Sequence, residues 1–498
     1  MDIDAYRLQA ETFIGDLNLA YYRHFAGLDR EYAVEAVYDR HATLFTPDAV
    51  EELRTGAANG EMAGGDAQRR SRALMAFAVE GHLGIQTRAI DAQLARLEAS
   101  LTLPFGSTST PIGFRESAAI QANEPDPSRR AEIEAARLAV TASELNPLAL
   151  QALESTHAVA KVLGWSSYVA MCEECQAIDL GQLQRQTEEF VAATDERYYE
   201  IVDQPLRRAT GVGLDDIGRC DLPRFFRGAE FDVHFPSQTL VTSFQATMAA
   251  LEIDTSSDCG ITIDVTSRPA KSPRAFCAPV RVPGEIYLVV APLGGRDDYC
   301  ALLHEAGHAQ HYAHVDPTLA FEFRCLGDNS VTEAFAFLFD RLIEEPGWLS
   351  QHLGVDGRGG ALAAHARAER LIYLRRYSAK LAYELKLHSS QTTPLSDLSD
   401  EYAQQLTRAL RIDWPSESWL TDVDPCFYAA NYLRAWALET QLRSMLIEQF
   451  GERWYSEPGA AEVLRELWRD GQRLNAQELC QQICGAPLDF AAVLGEFE

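Results

Sequence analysis

Along most of the chain, apolar residues recur every three or four positions, the period of a helix with one buried face. The run "RRSRALMAFAVEGHLGIQTRAIDAQLARLEASL" (69–101) keeps this period for many turns, and "PSRRAEIEAARLAVTASELNPLALQALESTHAVAKVLGWSSYVAM" (127–171) takes it up again. The N-terminal part therefore predicts successive amphipathic helices. Between those runs, "TLPFGSTSTPIGF" (102–114) carries Gly, Pro and Ser where a small hairpin would turn. The pattern shifts near 211–236, which is richer in Gly, Pro and aromatics. That shift places a boundary close to residue 225, with an N-terminal helical lobe over 1–225 and a second lobe over 226–498. A clear strand signal follows in "RAFCAPVRVPGEIYLVVAP" (274–292), two β-branched runs about the turn pair Pro283-Gly284. Downstream the spacing is helical again. The expected fold is mainly α, with a small β-sheet.

Composition narrows the class. The chain has 498 residues, 47% of them hydrophobic, enough for one large core or two adjoining ones. It carries 44 Lys and Arg against 73 Asp and Glu, a formal net charge of -29. Phosphate contacts need clustered Lys and Arg, so nucleic acid is not an expected partner. The acidity reads first as a solubility device. No run approaches the ~18 apolar residues of a membrane span. The N-terminal "MDIDAYRLQAETFIGDLNLAYYRHF" lacks the basic and apolar regions of an export signal. The expectation is a cytoplasmic protein without membrane contact. Ten cysteines are too sparse for a disulfide scaffold and suit a reducing compartment. Cys172 and Cys175 have CxxC spacing but no second pair like it, so packing outweighs a metal or redox role. Cys480 and Cys484, four apart, read as helix-face packing.

The run "DDYCALLHEAGHAQHYAHVD" (297–316) changes the picture, because it places His304, Glu305, His308, His311 and His314 in one helical segment. Residues four apart on a helix lie ~6 Å apart along the axis on nearly the same face. His304 and His308 can therefore aim their imidazoles at one ion. Glu305, about 100° round from His304, is placed to take a proton from a water activated there. The bland alternative is two half-buried histidines and a surface glutamate.

A catalytic zinc site needs a third protein ligand. His314 falls where some zinc proteases place a third histidine, but a straight helix puts it ~15 Å from His304. Those enzymes break the helix at a glycine. Here His311 occupies that position and no glycine follows before Gly327, so His314 is rejected. His311 reads as supporting the ligands or facing substrate. The remaining class takes a glutamate from a following helix. "LGDNSVTEAFAFLFDRLIEE" (326–345) predicts such a helix, with Glu333 near its start. Ser330 and Glu333 also fit a capping box. Glu322 is the fallback, without the helix context. Glu333 is the expected third ligand.

Together "DYCALLHEAGHAQHYA", "SVTEAFAFLFD", the strand pair before them and "FDVHFPSQTLVTSFQATMAALEID" (231–254) resemble the thimet oligopeptidase and oligoendopeptidase F family, best over 225–345. The resemblance implies a two-lobed, almost all-helical zincin-type peptidase. It would have a deep channel covered by the N-terminal lobe, one Zn²⁺ per chain and short peptides as substrates. His304, His308 and Glu333 would bind the zinc, and Glu305 would be the general base. The strand in 284–292 would pair with the peptide backbone. Tyr428 and Tyr432 match the first two of the tyrosines with which that family stabilises its intermediate. Departures are plain: the third tyrosine position reads Ala435, and Asp424, Pro425 and Cys426 stand where a histidine would precede Tyr428.

Two further readings share these residues. A carboxypeptidase or dipeptidyl-peptidase would need a cation for the peptide carboxylate, with Arg274, Arg281, Arg375 and Arg376 in view. A weakly active zinc-containing peptide-binding protein would explain the missing histidine, but has no use for Glu305.

Overall fold

The computed structural model describes residues 1–103, 111–255, 259–355, 359–389 and 394–498. It is mainly helical, 73% helix against 4% strand. No helix among the described residues is long and apolar enough to cross a membrane. The run expected over 69–101 is the helix Gly65–Ser100. The run over 127–171 resolves into Pro127–Val140, a π-helical turn at Thr141–Leu145, Asn146–Val162 and the start of Tyr168–Gln176. Thr102–Leu103 (β1) and Ile112–Gly113 (β2) pair antiparallel as the expected hairpin, whose turn lies outside the described residues.

Two compact units form, each from three stretches of chain. One comprises Met1–His82, Phe231–Gly359 and Arg434–Ala492; the other comprises Leu83–Glu230, Gly360–Leu433 and Val493–Glu498. The expected single cut near 225 thus differs from the contact pattern: a changeover falls at Glu230/Phe231, yet the first 82 residues group with the later stretches. The reason is non-local packing, which no shift in composition announces. The helix Ile3–Phe25 starts at Asp2, whose carboxylate accepts from the N–H groups of Asp4 and Ala5. It then lies along a strand far ahead in sequence. Asn18 donates to the Pro279 carbonyl at 2.9 Å, and Tyr22 stacks on Tyr287 with centroids 3.7 Å apart.

That strand belongs to a three-stranded sheet of Ile261–Asp264 (β3), Phe276–Arg281 (β4) and Glu285–Val289 (β5), ordered β3-β5-β4. β5 runs parallel to β3, with Ile263 opposite Leu288, and antiparallel to β4, with Cys277 opposite Leu288. Both edges of β5 are therefore occupied. The expectation that this strand pairs with a peptide backbone is corrected: a central strand has no open row of N–H and C=O groups.

The second unit is held by helices packed around satisfied charges. Arg130 is fully buried and donates to Asp221 Oδ1 at 2.7 Å and to the Thr210 carbonyl at 2.7 Å. Arg375, also fully buried, donates to Asp195 at 2.8 Å and to the Ala409 carbonyl at 2.6 Å. Buried charge is tolerated only when paired in this way.

Candidate metal centre

The histidine helix is Arg296–Ala313. Asp298, in its first turn, accepts from the N–H groups of Leu293 and Gly294 at 2.8 Å each, fixing the approach from the sheet. The expected second helix is Asn329–Asp340. It is capped by Asp328, which accepts from Ser330 N–H at 2.9 Å, and not by Ser330 as a capping box would require. The Ser330 hydroxyl instead accepts from Arg434 at 3.0 Å, and Arg434 also pairs with Asp328 at 2.7 Å.

The two helices pack very closely, and Gly307 is why. A Cβ on Gly307 would lie 2.6 Å from both Ala336 Cα and the Phe335 carbonyl oxygen. Only a residue without a side chain permits that approach. It brings Glu333 against the histidines. Glu333 Oε2 is 3.4 Å from His304 Nε2 and 3.8 Å from His308 Nε2, and one ligand-capable atom from each residue lies within 4.8 Å of the others.

The far side of each ring is fixed. His304 Nδ1 lies 2.9 Å from Asp340 Oδ2, and His308 Nδ1 lies 2.8 Å from Thr332 Oγ1. Asp340 fixes a proton on His304 Nδ1; with a proton on His308 Nδ1 donated to Thr332 as well, each ring would turn an Nε2 lone pair toward Glu333. Two lone pairs and a carboxylate oxygen would then face one another in a mostly buried spot, an arrangement suited to a cation. Protonation answers it in part. Burial lowers the His304 pKa, but hydrogen bonds with Asp340 and Glu333 outweigh that and carry it to about 10. His308, desolvated and beside His304, falls to about 3. The three residues could equally hold a metal ion.

Glu305 points its Oε2 at the backbone N–H of Cys277 on β4, which donates at 2.9 Å. Burial raises its pKa; the charge of His304 and this N–H pull the other way. The strand next to the histidine helix thus positions the carboxylate expected to act as base.

The other residues singled out earlier go elsewhere. His311 is fully buried, with Nε2 3.2 Å from the Gly471 carbonyl, so the expectation that it faces substrate is corrected; its ring stacks on Tyr312, which stacks in turn on His308. His314 bonds back to the Gln310 carbonyl at 2.8 Å. Glu322 is buried and ion-paired with Arg7 at 2.6 Å and Arg70 at 3.3 Å. Tyr428 and Tyr432 start the helix Tyr428–Phe450 and meet edge to face at 5.0 Å, with Tyr377 5.5 Å from Tyr432. These three tyrosines belong to the second compact unit. Arg375 is consumed as described, and Arg376 pairs with Asp422 at 2.5 Å.

Sequence reasoning missed Gly307, Thr332, Asp340 and the Cys277 N–H. Asp340 left a trace: it follows Glu333 by seven residues, two turns along one helix face. No model of a known protein family matches the chain, and no curated protein matches it.

Proposed function

We propose that the chain is a zinc-dependent peptidase acting on short peptides, in the manner of the thimet oligopeptidase and oligoendopeptidase F family that its sequence resembles. The observation that carries this reading is the convergence of His304, His308 and Glu333, with Glu305 held separately by a strand N–H. Two imidazoles and a carboxylate, with both rings braced from behind, fit the donor set of a catalytic zinc. Bound there, zinc would supply a Lewis acid for water and for the scissile carbonyl.

The chain's own residues do the rest. Glu305 takes a proton from the attacking water and returns it to the departing amine nitrogen. Its raised pKa makes it a stronger base than an exposed carboxylate. Asp340 and Thr332 keep the two rings from turning. The resemblance gives Tyr428 and Tyr432 the part of phenolic O–H donors to the carbonyl oxygen as negative charge builds. The same reading implies a two-lobed zincin-type build with a channel that admits peptides and refuses folded proteins.

The exopeptidase reading is weaker, because Arg375 and Arg376 are spent in ion pairs of their own. Arg281 lies 3.6 Å from Glu285, and exposed Arg274, close enough to lower the Glu305 pKa, is the remaining support. A pure peptide binder leaves the held Glu305 without a task.

The test is incubation of the purified, zinc-loaded protein with a defined mixture of short peptides, with products followed by mass spectrometry. Internal cuts that vanish with a chelator are the expected result. Glu305→Gln should keep its zinc and lose cleavage by roughly 10²–10⁴-fold. No cleavage by zinc-loaded wild type would defeat the reading.

A further inference from the structure

The CxxC pair has a third thiol beside it. Cys172 and Cys175 are buried on the helix Tyr168–Gln176, and the distant Cys426 folds against that helix within the same compact unit. The Cys426 N–H donates to the Tyr168 hydroxyl oxygen at 2.7 Å, and that hydroxyl lies 3.6 Å from Cys426 Sγ. Gln176 donates to the Cys426 carbonyl at 2.6 Å. Tyr168 and Gln176 stand four residues before and four residues after Cys172, on the same face of that helix, so the two side chains that hold Cys426 bracket the Cys172 thiol. Cys426 and Phe427 both have positive φ, 51° and 55°, although neither is glycine. Such backbone is strained and persists only where the surroundings enforce it. The next residue, Tyr428, opens its helix.

We propose that Cys172 and Cys426 are an oxidation site that closes an intramolecular disulfide when the protein meets a hydroperoxide. Cys426 is less buried than Cys172 and reacts first. Its sulfur attacks a peroxide oxygen, the O–O bond breaks, and the leaving hydroxide takes the thiol proton as water, leaving a sulfenic acid. The Cys172 sulfur then attacks the Cys426 sulfur, the S–O bond breaks, and the second hydroxide leaves as water with the Cys172 proton. Two thiols lose two electrons and one hydrogen peroxide becomes two waters. Burial, then contact with Cys426, raises the Cys172 pKa, which suits a residue that waits for an activated partner. Drawing the two sulfurs to ~2.05 Å pulls the strained turn toward the helix and moves the start of the Tyr428 helix. An effect on catalysis rests on the peptidase reading; the disulfide does not.

The full-length protein would be treated with hydrogen peroxide, alkylated, digested without reductant and mapped by mass spectrometry. The expected result is a Cys172–Cys426 cross-linked peptide, the loss of two alkylatable thiols and their recovery with dithiothreitol. Cys172→Ser should leave Cys426 as a sulfenic acid captured by a dimedone probe. Hydrogen exchange over 424–432 should change on oxidation in wild type and stay constant in Cys426→Ser. A Cys172–Cys175 bond, two thiols that stay alkylatable, or direct passage of wild-type Cys426 to sulfinic acid would each overturn the proposal. Because the cross-link is read by mass, a protein that cleaves no peptide defeats only the functional reading.

Discussion

Replacing Gly307 with alanine would set a methyl carbon 2.6 Å from Ala336 Cα, 2.6 Å from the Phe335 carbonyl oxygen and 3.0 Å from Ala336 N. All three obstacles are backbone, so no side chain can swing aside. Carbon atoms pack at about 3.5–4.0 Å, and relief requires the two helices to part by roughly 1 Å. Overpacking of this kind costs about 1–3 kcal/mol, while the helix propensity gained by losing glycine returns about 1 kcal/mol. The net loss of stability is therefore modest. The loss of metal affinity is not, because Glu333 sits one turn from Ala336 and moves with it. Ligand distances in metal sites hold within about ±0.2 Å, so a shift of roughly 1 Å at one of three donors should weaken zinc by a factor of ten or more. Urea unfolding of the metal-free protein and competition with a chromophoric chelator measure the two quantities separately. Gly56→Ala is the control: the same exchange on a helix with nothing within 4 Å, which should leave zinc affinity alone and raise stability slightly. A Gly307→Ala protein with wild-type zinc affinity would refute the account of how the two helices build the site.

Asp340→Asn removes the carboxylate behind His304 and should weaken zinc about 10–100-fold with the helices intact; unchanged affinity in the same competition assay would show that Asp340 is not a support. Tyr428→Phe and Tyr432→Phe should each lower kcat by roughly 10²–10³-fold if that hydroxyl is the oxyanion donor, with KM and circular dichroism unchanged, and a fully active double variant would remove both from the mechanism. Glu384 is fully buried, with its pKa raised by burial to about 8 against the opposing charge of Lys380. Its folded pKa exceeds the ordinary 4.5, so between those values the folded state binds more protons, and stability falls as pH rises from about 4.5 to 8 by on the order of a few kcal/mol. Glu384→Gln should flatten that limb in urea titrations run at several pH values, and an unaltered slope would count against it.

What could be read from the sequence was local. The histidine helix announced itself because its spacing and its first-turn aspartates lie within one short segment. The strand pair did so because β-branched residues flank Pro283-Gly284. β3 did not: "ITID" is four residues long, and its pairing with β5 is parallel, reached across an intervening crossover. Ser330 looked like a cap because Glu333 follows at the right interval, yet Asp328 took the role while Arg434 claimed Ser330 from about a hundred residues away. Arg375 and Arg376 looked available until Asp195 and Asp422 were placed beside them. In each case a local rule was overruled by a partner distant in sequence.

The candidate centre follows the same division. Its donors lie on two neighbouring helices and could be listed from the chain. What makes them a centre is the separation of those helices, set by one glycine, and the support at Asp340, Thr332 and Cys277, which only folding assembles. That support is asymmetric. Both rings are braced so that lone pairs converge where like charge would repel, whereas Glu305 is tied to a strand instead and kept out of the cluster. The fully buried Glu322, by contrast, is paired with Arg7 and Arg70. Glu305 accepts the Cys277 N–H and keeps a raised pKa, which supports the proposal that it takes a proton from water.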